Sequence, residues 1–252
     1  MLRLSPQEYA ELRAWFPASR PGPMVGLHVL HTGQGSITVD RWPEPRAVLA
    51  ESGGNYSLHG QGGAFSPAEL AELIQGFVEA PEAFAPGLQQ AFPDLKLWER
   101  VVLEAKEALQ PPPPEGVEVR RLQAGDAGHL RRLSPVSSWI YVTWGSPETC
   151  AGSGMAWGAF EAGRLASVAA TFYVGERYED IGIVTEPGYR RRGLSAACAG
   201  ALLQDILERG RLGSWSTSPD NLGSLRVAEK IGFRHVRNDR LYAAGVSIPL
   251  PE

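Results

Sequence analysis

Residues 181–203, IGIVTEPGYRRRGLSAACAGALL, constrain this chain more than any other stretch: an apolar run breaks at Pro187 and Gly188 and resumes, after an Arg-Gly turn, with helical spacing. A strand that turns directly into a helix leaves the first helical N–H groups without intrahelical partners. They face outward with the positive end of the dipole behind them. A glycine in the turn lets the backbone approach a ligand closely. Such a corner is an anion site, and phosphate is its natural ligand. Two familiar phosphate cradles are absent, since no Gly-Lys-Ser/Thr follows a Gly-rich loop and no G-x-G-x-x-G follows a strand. Taken alone, the corner reads equally well as a solvated basic turn, because consecutive arginines are commonly surface charge.

The pattern that remains is Arg190-x-x-Gly193-x-Ser195. It resembles motif A of the GNAT superfamily of acyl-CoA-dependent N-acetyltransferases, written R/Q-x-x-G-x-G/A, with Ser195 in the last small position. The preceding residues, Glu179 to Ile181, Thr185-Glu186-Pro187 and then Tyr189, resemble that superfamily's fourth strand and its exit turn. Further on, Trp215 is followed by Asn221-x-x-Ser224, Ala228-Glu229-Lys230 and Ile231-Gly232-Phe233, similar to an N-x-x-A/S spaced before a K-x-G-F ending. The resemblance covers residues 117–245 and is greatest to two-domain bacterial members.

That resemblance implies an α/β (α+β) fold: a mixed, mostly antiparallel central sheet with flanking helices and a V-shaped opening, preceded by a smaller α/β N-terminal domain. It implies acetyl-CoA as cosubstrate. The backbone of Ile183, Val184 and Thr185 is expected along the pantetheine arm. Arg190, Arg191, Arg192, Gly193, Leu194 and Ser195 are expected around the pyrophosphate, with Asn221 and Ser224 near the pantetheine.

Composition agrees with two domains. At 252 residues the chain exceeds the usual domain size, and 43% hydrophobic content is ample for two cores. The run Pro111 to Pro114 favours an extended spacer and cannot continue a helix. The expected division is therefore an N-terminal α/β domain over 1–110, a linker over 111–116 and a transferase domain over 117–252. In the last of these, the patterning predicts strands at 117–122, 155–160, 165–174, 178–185, 212–217 and 233–243, and helices beginning near Gly125 and at 219–231. Leu194, Cys198, Leu202 and Ile206 recur every four residues, which predicts an amphipathic helix ending near Gly210.

The N-terminal half shows short strand patterns at 25–30, 36–39 and 46–49 and helical patterns at 67–77, 81–92 and 95–109. Its resemblance to a degenerate counterpart of the transferase fold gives it two expected roles, shaping the acceptor pocket or pairing two copies as a homodimer. The glycines of Gly33-Gln34-Gly35 and Gly60-Gln61-Gly62-Gly63 read as turn residues.

Net charge is −4 and the basic residues are scattered apart from Arg190, Arg191 and Arg192, so no nucleic-acid-binding face is expected. No run of about 18 apolar residues exists, and the first residues mix charge with apolar groups, so neither a membrane span nor a secretory segment is expected. The expected location is cytoplasmic. Cys150 and Cys198 are too few for a disulfide framework, and the five histidines lack metal-ligand spacing. No metal is expected.

An amine is protonated at neutral pH and must lose a proton before it attacks a thioester, so a carboxylate near the strand opening is the expected base. Glu179, eleven residues before Arg190, matches the superfamily's position, and Asp180 is the reserve candidate. The tyrosine that many members use to protonate the thiolate is replaced by Ala228, leaving Tyr242 or Tyr189 as substitute acids, or none. The resemblance thus implies an acetyl-CoA-dependent N-acetyltransferase for a small-molecule or peptide amine. The second reading is a non-catalytic acyl-CoA sensor or assembly module.

Overall fold

The structure is a computed structural model describing residues 1–250. In chain order, β1 (Leu2–Arg3) and a 3-10 stretch (Pro6–Trp15) precede α1 (Val25–Thr32), β2 (Ser36–Val39), β3 (Ala47–Ser52), β4 (Asn55–Gly60), α2 (Pro67–Leu73), β5 (Gly76–Glu79), α3 (Ala85–Ala91) and β6 (Lys96–Ala105). After the prolines come β7 (Val117–Arg121), α4 (Ala127–Arg131), a second 3-10 stretch (Ser138–Trp144), α5 (Pro147–Gly152), β8 (Ala156–Glu161), β9 (Arg164–Val174) and β10 (Tyr178–Thr185). The chain closes with α6 (Leu194–Glu208), β11 (Leu212–Thr217), α7 (Leu222–Lys230) and β12 (Arg234–Ala244).

All twelve strands join one sheet in the order β1-β2-β3-β4-β5-β12-β6-β11-β10-β9-β8-β7. Only β4–β5 and β10–β11 pair in parallel, and each of these connections crosses over through a helix, α2 or α6, as parallel neighbours require. The sheet is mixed and mostly antiparallel, with helices flanking it. The turn at Ala162 (φ 46°) and Gly163 (φ 75°) makes β8 and β9 a hairpin, its two left-handed residues matching the strand twist.

Two expected elements change type. Residues 25–30, read as a strand, form the helix α1, which Gly33 caps at φ 69°; a short apolar run has no periodicity that separates the two states. Residues 95–109, read as a helix, form β6. Leu97, Val101 and Leu103 fit either period, and pairing with β11 on one side and β12 on the other decides for the strand. β6 thus lies inside the sheet of the C-terminal strands although it precedes the proline run. The segment after it also packs there, with Leu109 N–H donating to Ile231 O at 3.0 Å.

The two faces of the central strands differ. On one, α6 inserts Leu194, Cys198, Leu202 and Ile206 against Ile181, Leu103 and Trp215, with Phe233 and Ala228 completing the core. Both cysteines are buried free thiols, and burial pushes each up to about 12. On the other face, α1 and residues 20–24 reach across from the N-terminal half. His28 of α1 donates from Nε2 to Thr143 O (2.8 Å) and accepts at Nδ1 from Val174 N–H (3.1 Å), which ties α1 to β9 and to the second 3-10 stretch.

Candidate functional site

The strand-to-helix corner at residues 185–194 forms where the spacing predicts it. β10 ends at Thr185, a 3-10 turn over Pro187–Tyr189 follows, and α6 begins at Leu194 with Gly193 at its N-cap. Arg191 (φ 64°) and Gly193 (φ 85°) are both left-handed, and an ideal Cβ on Gly193 has no heavy atom within 4 Å, so the space in front of the helix N-terminus is open. The N–H groups of the first turn of α6 have no intrahelical acceptors there. The side chains divide. Leu194 is buried in the core, and Arg192 Nη1 donates to Glu161 at 3.0 Å. Arg190 Nε donates to Thr185 O at 3.2 Å, while Arg191 is exposed.

The corner sits at the carboxyl end of β10, where the sheet opens. β10 and β11 are paired only at Tyr178↔Leu212, Glu179↔Gly213 and Asp180↔Ser214. Beyond that apex β10 runs on through Ile181, Gly182, Ile183, Val184 and Thr185 without a partner on the β11 side. A bulge helps to open it: the β9 register shifts between Asp180 and Ile181, leaving Phe172 unpaired and placing the Phe172 and Tyr173 rings 4.8 Å apart. A cleft at the carboxyl ends of parallel strands, beside a helix N-terminus, is where open α/β sheets hold ligands. Val184 points into the core, Ile183 is half-buried, and the Thr185 hydroxyl lies 2.8 Å from Ser167 Oγ, so their backbones are what face the cleft.

The two candidate bases point to opposite faces, because successive strand residues alternate. Glu179 lies under the C-terminal end of α6, fully buried, and accepts from Thr171 Oγ1 (2.7 Å), Arg209 Nη2 (2.6 Å) and Arg211 Nη1 (2.9 Å). Burial alone would raise its carboxyl, but the hydrogen bonds and charge of Arg209, with Thr171 and Arg211, outweigh it and hold Glu179 below the usual range. The structure does not leave Glu179 free to take a proton. Asp180 occupies the apex on the other face. It accepts from Ser214 Oγ (2.6 Å), which itself accepts from Gly22 N–H (2.9 Å), and burial pushes its carboxyl up to about 7 against the lowering effects of Ser214, Arg100 and Arg237.

The remaining candidates separate. Asn221 caps α7, its Oδ1 accepting from Ser224 N–H at 3.1 Å, and Ser224 Oγ accepts from Trp215 Nε1 at 2.9 Å. Both sit at the helix start that follows the open end of β11. Tyr242 is a core side chain among Tyr56, Leu58 and Leu70, in the cluster beyond β5, so it does not serve the apex. Ala228 is the buried residue of α7. Tyr189 is half-buried with the Arg192 guanidinium 5.8 Å from its ring.

Residues that the sequence did not single out line the same face as Asp180: Tyr173, Ser214, Arg100, Arg237, Asp239 and Glu79. For Arg100 the signal is the two-residue alternation of β6, which the helical reading of 95–109 obscured. Among the described residues, no three His, Cys, Asp or Glu side chains form a metal-ligand set, and no helix is long and apolar enough to cross a membrane.

Comparisons with known proteins give the family and the fold. A family model described as GNAT acetyltransferase matches residues 23–242. An uncharacterized N-acetyltransferase in the mutA 5′ region of Streptomyces virginiae is 42% identical over 212 residues, 83% of this chain and 90% of that protein. The uncharacterized N-acetyltransferase YdfB of Bacillus subtilis is 24% identical over 132 residues, 52% of this chain and 50% of that one. Among solved structures, a GCN5-related N-acetyltransferase-like protein from Streptococcus suis superposes with a TM-score of 0.73 at 19% identity, covering 95% of this chain and 100% of that one. A tandem GNAT protein from the clavulanic acid biosynthesis pathway gives 0.58 at 12% identity, covering 98% and 99%. At these identities the solved structures speak to the fold alone.

Proposed function

Since this chain belongs to the GNAT acetyltransferase family, we propose that it transfers the acetyl group of acetyl-CoA to an amine of a small molecule or peptide, with Asp180 as the base. The observation that carries this reading is the alignment of three features along one cleft: an open helix N-terminus at Gly193, unpaired strand edges on β10 and β11, and a buried carboxyl at their apex. The N–H groups around residues 190–195 would receive the pyrophosphate, with Asn221 and Ser224 at the α7 start near the pantetheine. The unpaired backbone of Ile183, Val184 and Thr185 would bond the arm.

Asp180 takes one proton from the ammonium, the neutral nitrogen attacks the thioester carbonyl, the C–S bond breaks to release the thiolate, and the nitrogen's second proton passes to solvent. A base is most effective when its pKa lies near the working pH, and a carboxyl held near 7 meets that condition. Holding both reactants along one cleft supplies the larger share of the acceleration. The departing thiolate needs no acid, because ordinary thiols titrate at about 8.5, and the burial of Ala228 and Tyr242 is consistent with a site that lacks one.

A second reading, acyl-CoA binding without turnover, is favoured by Ala228 and by the way Gly22 closes over Ser214. Release of free thiol from acetyl-CoA in the presence of an amine panel distinguishes the two. Acetyl-CoA is expected to raise the melting temperature of the parent and to lose that effect in Gly193→Val, where a β-branched side chain at φ 85° blocks the helix N-terminus. An undiminished shift in the variant removes the pyrophosphate assignment.

A further inference from the structure

On the face of the sheet that carries Asp180, three arginines come from separate segments: Arg20 from residues 20–24, Arg100 from β6 and Arg237 from β12. Two of them have carboxylate partners. Arg20 pairs with Glu79, and Arg237 donates to Asp239 Oδ2 (2.7 Å) and to Pro21 O (2.6 Å). Arg100 differs. It donates from Nη2 to Ser216 O at 2.7 Å and from Nε toward Ser216 Oγ at 3.4 Å, and its guanidinium lies 4.1 Å over the Trp98 ring. No carboxylate lies within ion-pair distance of it among the described residues, and Nη1 has no acceptor there.

The position of that free fork is informative. The register Asp180↔Ser214↔Glu104 puts Glu104, and by two-residue alternation Arg100, on the face of Asp180. Arg100 is fixed beside Ser216, two residues past the apex toward the open end, a step of roughly 7 Å along the strand. Arg100 therefore shares the face of Asp180 and lies toward the open end of β11 from it. The edge of the guanidinium that Ser216 does not take matches a carboxylate in its planar geometry.

We propose that the acceptor is an amino acid or amino-acid-like amine, its nitrogen at Asp180 and its carboxylate on the free edge of Arg100. With hydrogen bonds of about 2.8 Å at each end, an amine and a carboxylate separated by one or two carbons span roughly 8 Å, the reach needed to bridge from β10 across β11 to the Arg100 guanidinium beside Ser216. Trp98 sets the plane of the guanidinium and Ser216 O holds one edge, which leaves the other edge for the ligand. The inference rests on the acetyl-transfer reading and adds the charge of the acceptor to it.

The test compares α- and β-amino acids with the matching amines that lack only the carboxylate, and with the methyl esters, by free-thiol release. A site built to pair a substrate group discriminates strongly against analogues without it, and a preference of about tenfold to a thousandfold in kcat/KM for the carboxylate-bearing acceptors is expected. In Arg100→Gln the preference is expected to fall at least tenfold, mainly through a raised KM, with partial return in Arg100→Lys. Melting temperatures of both variants are measured alongside; if Arg100→Gln does not fold, Arg100→Lys and the acid, amine and ester series on the parent decide. Equal turnover of acids, amines and esters by the parent overturns the carboxylate inference and leaves acetyl transfer standing. So does an unchanged preference in a folded Arg100→Gln, which reduces Arg100 to a stacking partner of Trp98. No thiol release with any acceptor overturns both.

Discussion

Glu179 and Asp180 are neighbours in sequence and identical in charge, yet the sheet between them makes them opposites. On the α6 side, Glu179 meets Arg209 and Arg211 and is fixed as an ion. On the apex side, Asp180 meets one hydroxyl, with arginines further off, and burial brings its carboxyl up to about 7. A carboxylate's partners, rather than its place in a motif, decide whether it holds a structure together or moves a proton. An ion pair that is fully satisfied has no proton to exchange at neutral pH.

Asp180→Asn should show the greatest change in turnover. Loss of a general base is expected to lower kcat/KM by about two to four orders of magnitude near pH 7, with partial recovery at alkaline pH where free amine accumulates. The acetyl-CoA-induced thermal shift should persist, because Asn keeps the size and the bond from Ser214. Full activity in this variant would place the base elsewhere or make positioning sufficient.

Next in size is Glu179→Gln, expected to act on stability instead. Removing one member of a buried, multiply bonded pair costs on the order of 3 kcal/mol, because Arg209 and Arg211 are left without a counter-charge, although their own partial exposure moderates the loss. A scan should show a lower melting temperature, while activity per folded molecule stays near that of the parent. Retained stability with lost turnover would reverse the roles of the two residues.

The pH dependence sharpens the contrast further. Asp180 titrates near 7 in the folded chain against an ordinary value of 3.8, so between those values the folded form binds more protons than the unfolded one. Its contribution is present below 3.8 and is lost as pH rises through 7. Asn lacks that penalty, so the melting temperature of Asp180→Asn relative to the parent should rise from pH 5 to pH 8. Glu179, held below its ordinary value, has the opposite sign: its contribution is present above the ordinary carboxylate range and fades in acid.

The smallest effect expected is that of Asn221→Ala. Loss of the cap on α7 should cost about 1 kcal/mol of stability. If acetyl-CoA affinity falls as well, Asn221 serves both the helix and the cosubstrate; if affinity is unchanged, its role is the cap alone.

Much of the C-terminal half was legible in the sequence because its signals are local. β10 and β11 span 178–185 and 212–217 as their patterning predicts, and α6 runs from Leu194 toward Gly210 with its apolar residues in the core. These elements carry a full period of alternation or a stripe bounded by glycine, which needs no partner to be recognised. The turn at residues 190–195 was legible for the same reason, since Gly193 marks a left-handed N-cap. The N-terminal half was harder. Residues 25–30 are too short to show a period, and β6 takes its strand form from neighbours more than 100 residues further along, at β11 and β12.

Local pattern thus specifies most elements around the cleft, the strand-to-helix corner at its mouth and two adjacent carboxylates at its base. Which face each carboxylate takes, and what stands opposite it, depends on contacts between distant segments. Alternation assigns Glu179 and Asp180 to opposite faces but does not name the faces. That required Arg209 and Arg211 to arrive from beyond α6, Gly22 to reach Ser214 from the N-terminal segment, and β6 to bring Arg100 into the middle of the sheet. Each of these contacts joins residues far apart in the chain, where pairing geometry and burial, rather than local propensity, set the outcome.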